Sequence, residues 1–324
     1  MPKLKTHNPF WRKAMSQRPK ITVVGAGNVG ASCAAWMAER DLGDIVLLDI
    51  PATKDMPKGK ALDMQQVGPI SGYNSRLTGT TDYADTANSD VCVITAGVPR
   101  KPGMSREDLV AINQGIVADV AKKIVASSPN VILIVVTNPL DTMCYVAYKA
   151  AGLPKHRVIG QAGVLDSARM RTFLAAATDV AVQNVVASVI GGHGDEMVPL
   201  VRYCNVAGIP ITHILKKEQI DAIVERTRKG GGELVNLLGV SAWLAPGAAA
   251  GSMVEAILKD SKLVVPCSCY LEGEYGLRDM YFGVYAKLSR KGLEMVLEVP
   301  LDDEEKAMVK KSADLIKDTM KALK

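Results

Sequence analysis

The first half of the chain alternates short runs of β-branched residues with longer alanine-rich or amphipathic segments. The β-branched runs predict strands, and the segments between them predict helices. Strands that are hydrophobic on both faces are typical of a parallel sheet covered by helices on each side. The predicted strands are residues 20–25, 44–49, 90–95, 131–136 and 157–160, and the predicted helices are residues 29–40, 106–127 and 139–151.

After residue 153 the pattern changes to longer helices mixed with strand-like segments at 185–190, 263–269, 281–285 and 294–299. The last segment opens with Asp302 and Glu305 in the spacing of a capping box, and its apolar residues then fall on one helical face. The pattern therefore predicts a doubly wound α/β sheet over residues 20–153, an α+β domain over residues 154–324, and a flexible arm over residues 1–19. A length of 324 residues agrees with two domains, at roughly 150 residues each.

The net charge of +5 is concentrated at the amino terminus. The first twenty residues hold six of the 39 basic residues and no acid, so the remaining 33 face 34 acidic residues. The six are Lys3, Lys5, Arg12, Lys13, Arg18 and Lys20. A nearly neutral body offers little affinity for phosphate backbones, and only 15 residues are aromatic, so we expect no nucleic-acid partner. The alternative, a binder of nucleic acid or anionic surfaces, rests on the arm alone.

Six cysteines are scattered along the chain: Cys33, Cys92, Cys144, Cys204, Cys267 and Cys269. They are interpreted as reduced structural thiols, and no cluster has the spacing of a metal site. No apolar run reaches the ~20 residues of a membrane span. We therefore predict no metal, no membrane partner and a cytoplasmic location.

A glycine-rich motif follows the first predicted strand and opens a helix. It reads Gly25-Ala26-Gly27-Asn28-Val29-Gly30, which fits G-x-G-x-x-G. Such glycines permit a tight turn and a close approach to a pyrophosphate at the helix N-terminus. Asp49 ends the next strand, where a carboxylate binds the ribose hydroxyls of NAD and repels the 2′-phosphate of NADP. The motif predicts a Rossmann dinucleotide-binding domain, but FAD shares this fingerprint.

His193 is the strongest candidate for acid–base chemistry. It lies in Gly191-Gly192-His193-Gly194-Asp195, where small neighbours leave it accessible after a predicted strand. Imidazole takes and returns a proton near neutral pH, as oxidation of an alcohol to a ketone requires. His7 lies in the arm, His156 in a loop, and His213 is expected to begin a surface helix.

Asp166 and Arg169 are one helical turn apart and can point from one helix into the same pocket. An intrahelical ion pair is the alternative interpretation. Arg100 and Arg106 bracket a Pro/Gly-containing loop beyond the strand at 90–95, where ligands of α/β sheets bind. That loop is interpreted either as a lid or as a solvated basic loop.

Taken in order, six motifs resemble the lactate/malate dehydrogenase family over residues 20–324: GAGNVG, LLDI, TAGVPRKPGMSR, TNPLD, AGVLDSARMR and GGHGDEMVPL. The loop with Arg100 is similar to that of malate-specific members, whereas lactate-specific members carry Gln there. The resemblance implies reversible hydride transfer between (S)-malate and NAD, giving oxaloacetate and NADH. An L-lactate or broad 2-hydroxyacid dehydrogenase is the alternative.

The resemblance also implies a role for each candidate residue. His193 would carry the proton and Asp166 would orient it. Arg169 would bind the C1 carboxylate, Arg106 would polarise the carbonyl, and Arg100 would bind the second carboxylate. Further contacts to substrate or cofactor would come from Ala96, Gly97, Asn113, Val136, Thr137 and Asn138.

A physical argument supports the dicarboxylate. A closed lid would leave Arg100 unpaired over pyruvate, and a buried uncompensated charge costs about 3–5 kcal/mol. The family further implies a homo-oligomer, with a tetramer favoured over a dimer.

Overall fold

The computed structural model describes residues 18–99 and 105–324, except for the side chain of Arg106. Six parallel strands in the order β6-β5-β4-β1-β2-β3 form the first part of its main sheet. These strands are β1 (Lys20–Val24), β2 (Asp44–Leu48), β3 (Leu77–Thr80), β4 (Val91–Ile94), β5 (Ile132–Val135) and β6 (Val158–Gly160). The order is that of a doubly wound dinucleotide-binding sheet, so the predicted fold class is confirmed.

Helices connect these strands and cover the sheet. They are α1 (Asn28–Glu39), α2 (Met56–Ser71), α3 (Arg106–Ser127) and α4 (Leu140–Ala151). Three of them match the predicted helices within a residue, whereas α2 and β3 were not predicted. Ser105 accepts a hydrogen bond from the Asp108 amide and caps α3.

The main sheet continues into the second half of the chain. Three antiparallel strands extend it, namely β12 (Val264–Glu272), β13 (Arg278–Ser289) and β14 (Gly292–Leu297). The junction is an antiparallel pair in which Ser268 lies opposite Gly160. The parallel part therefore runs to Gly160, beyond the boundary expected at residue 153, and both halves of the chain share one nine-stranded sheet.

The other elements of the second half surround this sheet. The helices are α5 (Gly163–Thr178), α6 (Lys217–Leu238), α7 (Leu244–Leu258) and α8 (Asp303–Met320). The short strands are β7 (Val185–Val186), β8 (Val189–Ile190), β9 (Val198–Pro199), β10 (Asn205–Val206) and β11 (Ile209–Pro210). The strand predicted at 185–190 is thus wrong as a single element, because β7 pairs with β10 and β8 with β9.

Two predictions about chain ends have opposite outcomes. Asp302 and Glu305 form the predicted capping box at the start of α8. Arg18, which was assigned to the flexible arm, instead binds Asp41 and Asp44 at 2.6 and 3.2 Å. The rest of the arm, residues 1–17, lies outside the described residues.

The core is largely aliphatic, as the composition implies. Ile21, Leu47 and Ile134 are fully buried in the parallel strands, and α1 packs against α7. Its buried aromatic residues include Tyr281 and Phe282 on β13, which have no exposed surface.

Candidate active site

The glycine loop between β1 and α1 lies at the carboxyl edge of the parallel strands. Gly25 has φ of +102°, a conformation that side chains rarely adopt. A Cβ on Gly30 would lie 1.8 Å from the Gly25 carbonyl oxygen, so the helix approaches the strand closely only because residue 30 is a glycine. A Cβ on Gly27 would meet nothing within 4 Å, which leaves open space in front of the loop.

The amino terminus of α1 is suited to an anion. Gly27 is the N-cap residue, and it provides no side-chain cap for the first turn formed by Asn28, Val29 and Gly30. The free amides and the positive end of the helix dipole therefore face that open space. These features fit the pyrophosphate of a dinucleotide.

Asp49 lies where the sequence predicts an acid beside the glycine loop. Its Oδ2 accepts a hydrogen bond from the Ala26 amide at 2.7 Å, and its Oδ1 accepts one from Ile50. Lys60 donates from Nζ to the Ala26 carbonyl at 2.7 Å. The carboxylate is thus fixed at the edge of the loop, which fits a ribose diol.

Asn113 links the loops that follow β4 and β5. Its Oδ1 accepts from the Val98 amide at 2.8 Å, and its Nδ2 donates to the Asn138 carbonyl at 2.7 Å. Because this side chain is fully buried, it acts on the site by holding main chain.

The neighbours of Asn113 complete this wall. The Thr137 hydroxyl donates to the Ala96 carbonyl, and the Val136 amide donates to the carbonyl of Ile94, the last residue of β4. A Cβ on Gly97 would lie 2.5 Å from the Thr137 methyl group. Asn138 itself is exposed.

His193, Asp166 and Arg169 meet at one carboxylate. His193 Nδ1 lies 2.8 Å from Asp166 Oδ2, and Arg169 Nη1 lies 3.3 Å from Asp166 Oδ1. The Asp166 side chain is only 2% exposed, against 18% for His193 and 12% for Arg169. Asp166 and Arg169 therefore form an intrahelical ion pair, and they also face the same pocket, because Asp166 contacts His193 as well.

Opposing effects act on the pKa of His193. Burial lowers it, whereas the charge of Asp166, the hydrogen bond to Asp166 and the charge of Asp141 raise it; Arg169 has a smaller lowering effect. The net result is a pKa above the ordinary value. The imidazole therefore keeps its proton to higher pH than a free histidine does.

Two buried side chains that the sequence analysis missed hold the main chain of the His193 loop. Asp141 Oδ2 accepts from the His193 amide at 3.1 Å, and Ser312 Oγ accepts from the Gly192 amide at 2.9 Å. Ser268 donates to the other oxygen of Asp141 at 2.6 Å. Nothing in the sequence singles out Asp141 or Ser312, because the amides that they bind are 52 and 120 positions away along the chain.

The structure leaves two predicted substrate contacts undescribed. Arg106 opens α3, but its side chain lies outside the described residues, and so does the whole of Arg100. Of the remaining histidines, His156 lies in a short 3₁₀ turn. The expectation for His213 was wrong, because it ends the 3₁₀ turn Ile211–His213 and α6 begins only at Lys217.

Residues 18–99 and 105–324 contain no group of three or more His, Cys, Asp or Glu side chains arranged for a metal. Cys267 and Cys269 are buried on one face of β12 with their sulfurs 3.8 Å apart. Within the same residues, no helix is both long and apolar enough to cross a membrane.

The fold and site define an NAD-binding oxidoreductase. Residues 19–160 match the NAD-binding domain of lactate/malate dehydrogenases, and residues 163–324 match their alpha/beta C-terminal domain. The chain therefore belongs to the lactate/malate dehydrogenase family, and NAD is its cofactor.

Malate dehydrogenase from Roseiflexus sp. (strain RS-1) is 57% identical over 308 residues, which cover 95% of this chain and 99% of that protein. The solved malate dehydrogenase from Salinibacter ruber is 51% identical with a TM-score of 0.90, covering 94% of this chain and 97% of that one. A lactate dehydrogenase from Cryptosporidium parvum, complexed with lactic acid and NAD, is 40% identical with a TM-score of 0.92. The match covers 95% of this chain and 99% of that one.

Proposed function

We propose that this chain is an NAD-dependent malate dehydrogenase that interconverts (S)-malate and oxaloacetate. One observation carries the proposal: the Asp166 carboxylate contacts both the His193 imidazole, at 2.8 Å, and the Arg169 guanidinium, at 3.3 Å. A proton carrier and a carboxylate-binding cation thereby lie side by side. Relatives named malate dehydrogenase at 53–57% identity support the choice of substrate, as does Arg100 in the sequence.

His193 is proposed to move the proton. Because Asp166 accepts the hydrogen bond from Nδ1, Nε2 is the atom that takes the proton from the malate hydroxyl and returns it to oxaloacetate. Asp166 also stabilises the imidazolium that forms.

Three arginines are proposed to bind the substrate. Arg169 pairs with the C1 carboxylate, for which the planar fork of a guanidinium is suited. Arg106 stabilises the negative charge that develops on the carbonyl oxygen during reduction. Arg100 pairs with the second carboxylate, and Asn138 provides a further hydrogen bond.

The cofactor is proposed to lie along the carboxyl edge of the parallel strands. Asp49 would bind the adenine ribose. NAD, when bound, supplies the nicotinamide that accepts or donates the hydride. The pyrophosphate would be held by Gly25, Ala26, Gly27, Asn28, Val29 and Gly30. The nicotinamide side would be lined by Ala96, Gly97, Val136, Thr137 and Asn138, and Asn113 would contribute by holding the main chain of these loops.

The proposal is tested by measuring NADH oxidation with oxaloacetate and with pyruvate. We expect kcat/KM for oxaloacetate to exceed that for pyruvate by roughly a hundredfold or more, since pyruvate leaves Arg100 unpaired. Comparable or greater kcat/KM with pyruvate would overturn the dicarboxylate assignment.

A second experiment tests the proton carrier. His193→Asn should retain NADH binding and lose turnover by about 10²–10⁴-fold, which is the usual contribution of a general acid–base group. His156→Asn is the matched control, because His156 lies in a 3₁₀ turn, its charged neighbours are Arg157 and Lys291, and its loss should leave turnover unchanged. Full activity of His193→Asn would remove this residue from the mechanism.

An L-lactate or broad 2-hydroxyacid dehydrogenase is the second candidate. The likeness to the lactate dehydrogenase of Cryptosporidium parvum favours it, because the lactate and malate enzymes share this fold. Preference for pyruvate in the first experiment would select it.

The cellular setting belongs to the same proposal. Six free cysteines, all buried, support a reducing compartment, so we propose a cytoplasmic enzyme of the tricarboxylic acid cycle. Leu237 and Leu244 are 75% and 70% exposed, and apolar surface of this kind supports a homo-oligomer, with a tetramer favoured and a dimer possible. Light scattering during size exclusion would give the subunit number.

A further inference from the structure

Helix α6 contains three consecutive glycines in its interior, Gly230, Gly231 and Gly232. Glycine is among the least favourable residues within a helix. None of the three has a positive φ, so the backbone conformation does not require glycine at any of them. A reason for Gly230 must therefore come from its surroundings.

The surroundings of the three glycines differ. Gly231 and Gly232 are exposed, and a Cβ on either would meet nothing within 4 Å. Gly230 is buried, and a Cβ there would lie 2.3 Å from Cδ and 2.7 Å from Nε of Arg169. Real Cβ atoms essentially never approach other atoms so closely, and the Arg169 side chain would have to move.

Arg169 has little freedom to move without losing its orientation. Its Nη1 lies 3.3 Å from Asp166 Oδ1 and donates to the Thr227 carbonyl at 3.3 Å. Thr227 is fully buried, and its hydroxyl donates to the Ile223 carbonyl at 2.7 Å. One turn of α6, from Thr227 to Gly230, thus forms the wall along which the arginine lies.

We propose that Gly230 is a positioning residue for Arg169. The missing side chain lets the stem of the arginine lie directly against α6, which directs the guanidinium toward the space beside His193. This inference rests on the proposed function, in which Arg169 binds the C1 carboxylate of the substrate. Gly230 thus determines carboxylate affinity without touching the substrate.

The test compares the same substitution at three neighbouring positions of the full-length protein. Gly230→Ala should lower kcat/KM for oxaloacetate by roughly a hundredfold, since a 1 Å misplacement of a binding group can have an effect of that size. The loss should lie mainly in KM for oxaloacetate, with KM for NADH within about twofold, because the glycine loop is untouched.

Gly231→Ala and Gly232→Ala are the matched controls. Each adds the same methyl group to the same helix in open space, so both should keep wild-type kinetics with an equal or higher Tm. A Gly230→Ala enzyme within about twofold of wild type, or an equal loss in the controls, would overturn the inference.

A double-mutant cycle shows whether Gly230 acts through Arg169. Arg169→Ala removes the two atoms that a Cβ would strike, so adding Gly230→Ala to it should lower neither kcat/KM nor Tm further. If Gly230→Ala alone fails to fold, restoration of folding in the double variant supports the inference. Failure of the double variant to fold overturns it.

The cycle also separates this inference from the proposed function. If Arg169→Ala lowers kcat/KM for oxaloacetate while Gly230→Ala has no effect, only the positioning role of Gly230 is wrong. If Arg169→Ala leaves kcat/KM unchanged, the carboxylate-binding role of Arg169 is wrong, and both proposals fall together.

Discussion

The main-chain amide of His193 donates a hydrogen bond to Asp141 across a distance of 3.1 Å, although 52 positions separate them in sequence. Asp141 is 5% exposed and has a second donor in the Ser268 hydroxyl. Burial raises the pKa of this carboxyl, and the hydrogen bonds from Ser268 and His193 partly offset that effect. A strand of the second half and a helix of the first half therefore jointly fix the loop that carries the imidazole.

Removing the Ser268 hydroxyl should disturb this loop. In Ser268→Ala, one oxygen of Asp141 loses its buried donor, which costs about 1–3 kcal/mol. We expect a lower Tm and a kcat for oxaloacetate reduced by about tenfold, because the imidazole shifts relative to the substrate. NADH affinity should stay constant in a fluorescence titration.

Ser289→Ala is the matched control for this variant. Ser289 is also buried, in β13, but its hydroxyl contacts the Lys291 amide away from the site. The control should lower Tm with unchanged kcat. Equal losses of kcat in both variants would show that the Ser268 effect is general destabilisation.

The pH dependence of oxaloacetate reduction should depend on Asp166. Reduction requires protonated His193, whose pKa is raised, so kcat/KM should be highest at low pH and fall as pH rises through that pKa. Asp166→Asn removes a charge that raises the pKa of His193. Burial and the charge of Arg169, which both lower that pKa, remain. The midpoint of the profile should therefore move to lower pH.

Asp179→Asn provides the control for the pH experiment. Asp179 is the exposed residue at the C-terminal end of α5, the helix that also carries Asp166. The same loss of charge there should leave the midpoint in place. An unshifted midpoint in Asp166→Asn would contradict its influence on the imidazole.

Arg100→Gln should shift the substrate preference toward pyruvate. The ratio of kcat/KM for oxaloacetate to that for pyruvate is expected to fall by roughly a hundredfold, because the variant leaves no unpaired charge with a monocarboxylate. Lys101→Gln removes a positive charge from the next position and should leave the ratio unchanged. A constant ratio in Arg100→Gln would refute the charge argument.

Deleting residues 2–17 should leave the kinetics unchanged. Arg18 is retained because its ion pairs with Asp41 and Asp44 belong to the folded body. We expect wild-type kcat/KM for oxaloacetate in the shortened protein. Loss of activity with unchanged Tm would show that the basic segment contributes to catalysis, contrary to the charge analysis.

The parallel half of the fold could be predicted because its signals are local. Strands β1, β2, β4 and β5 are hydrophobic on both faces, and the structure shortens each prediction only at its ends. Helix α2 was missed since it contains Pro57 and Pro69, and β3 was missed because Gly79 interrupts a short polar run. The strands predicted at 263–269, 281–285 and 294–299 overlap β12, β13 and β14, but their joining to the parallel sheet was missed, because the pairing of Ser268 with Gly160 leaves no periodic pattern.

The candidate site was predictable to a similar extent. His193, Asp166 and Arg169 stand out through residue type and spacing, and the structure brings them together. The contributions of Asp141 and Gly230 depend on partners distant in sequence, which no spacing indicates. An acid near a helix start and a glycine in a triplet look ordinary until the packing is known.

The unbroken sheet has one more consequence. The glycine loop follows β1, and Ser268 on β12 binds the Asp141 side chain. In the sheet, β1 and β12 are separated by three strands, β4, β5 and β6, each hydrogen-bonded to the next. Adjacent strands keep a spacing of about 4.8 Å. The separation between the dinucleotide loop and the imidazole is thus fixed by main-chain hydrogen bonds between adjacent strands. In an enzyme with two hinged domains, this separation could vary.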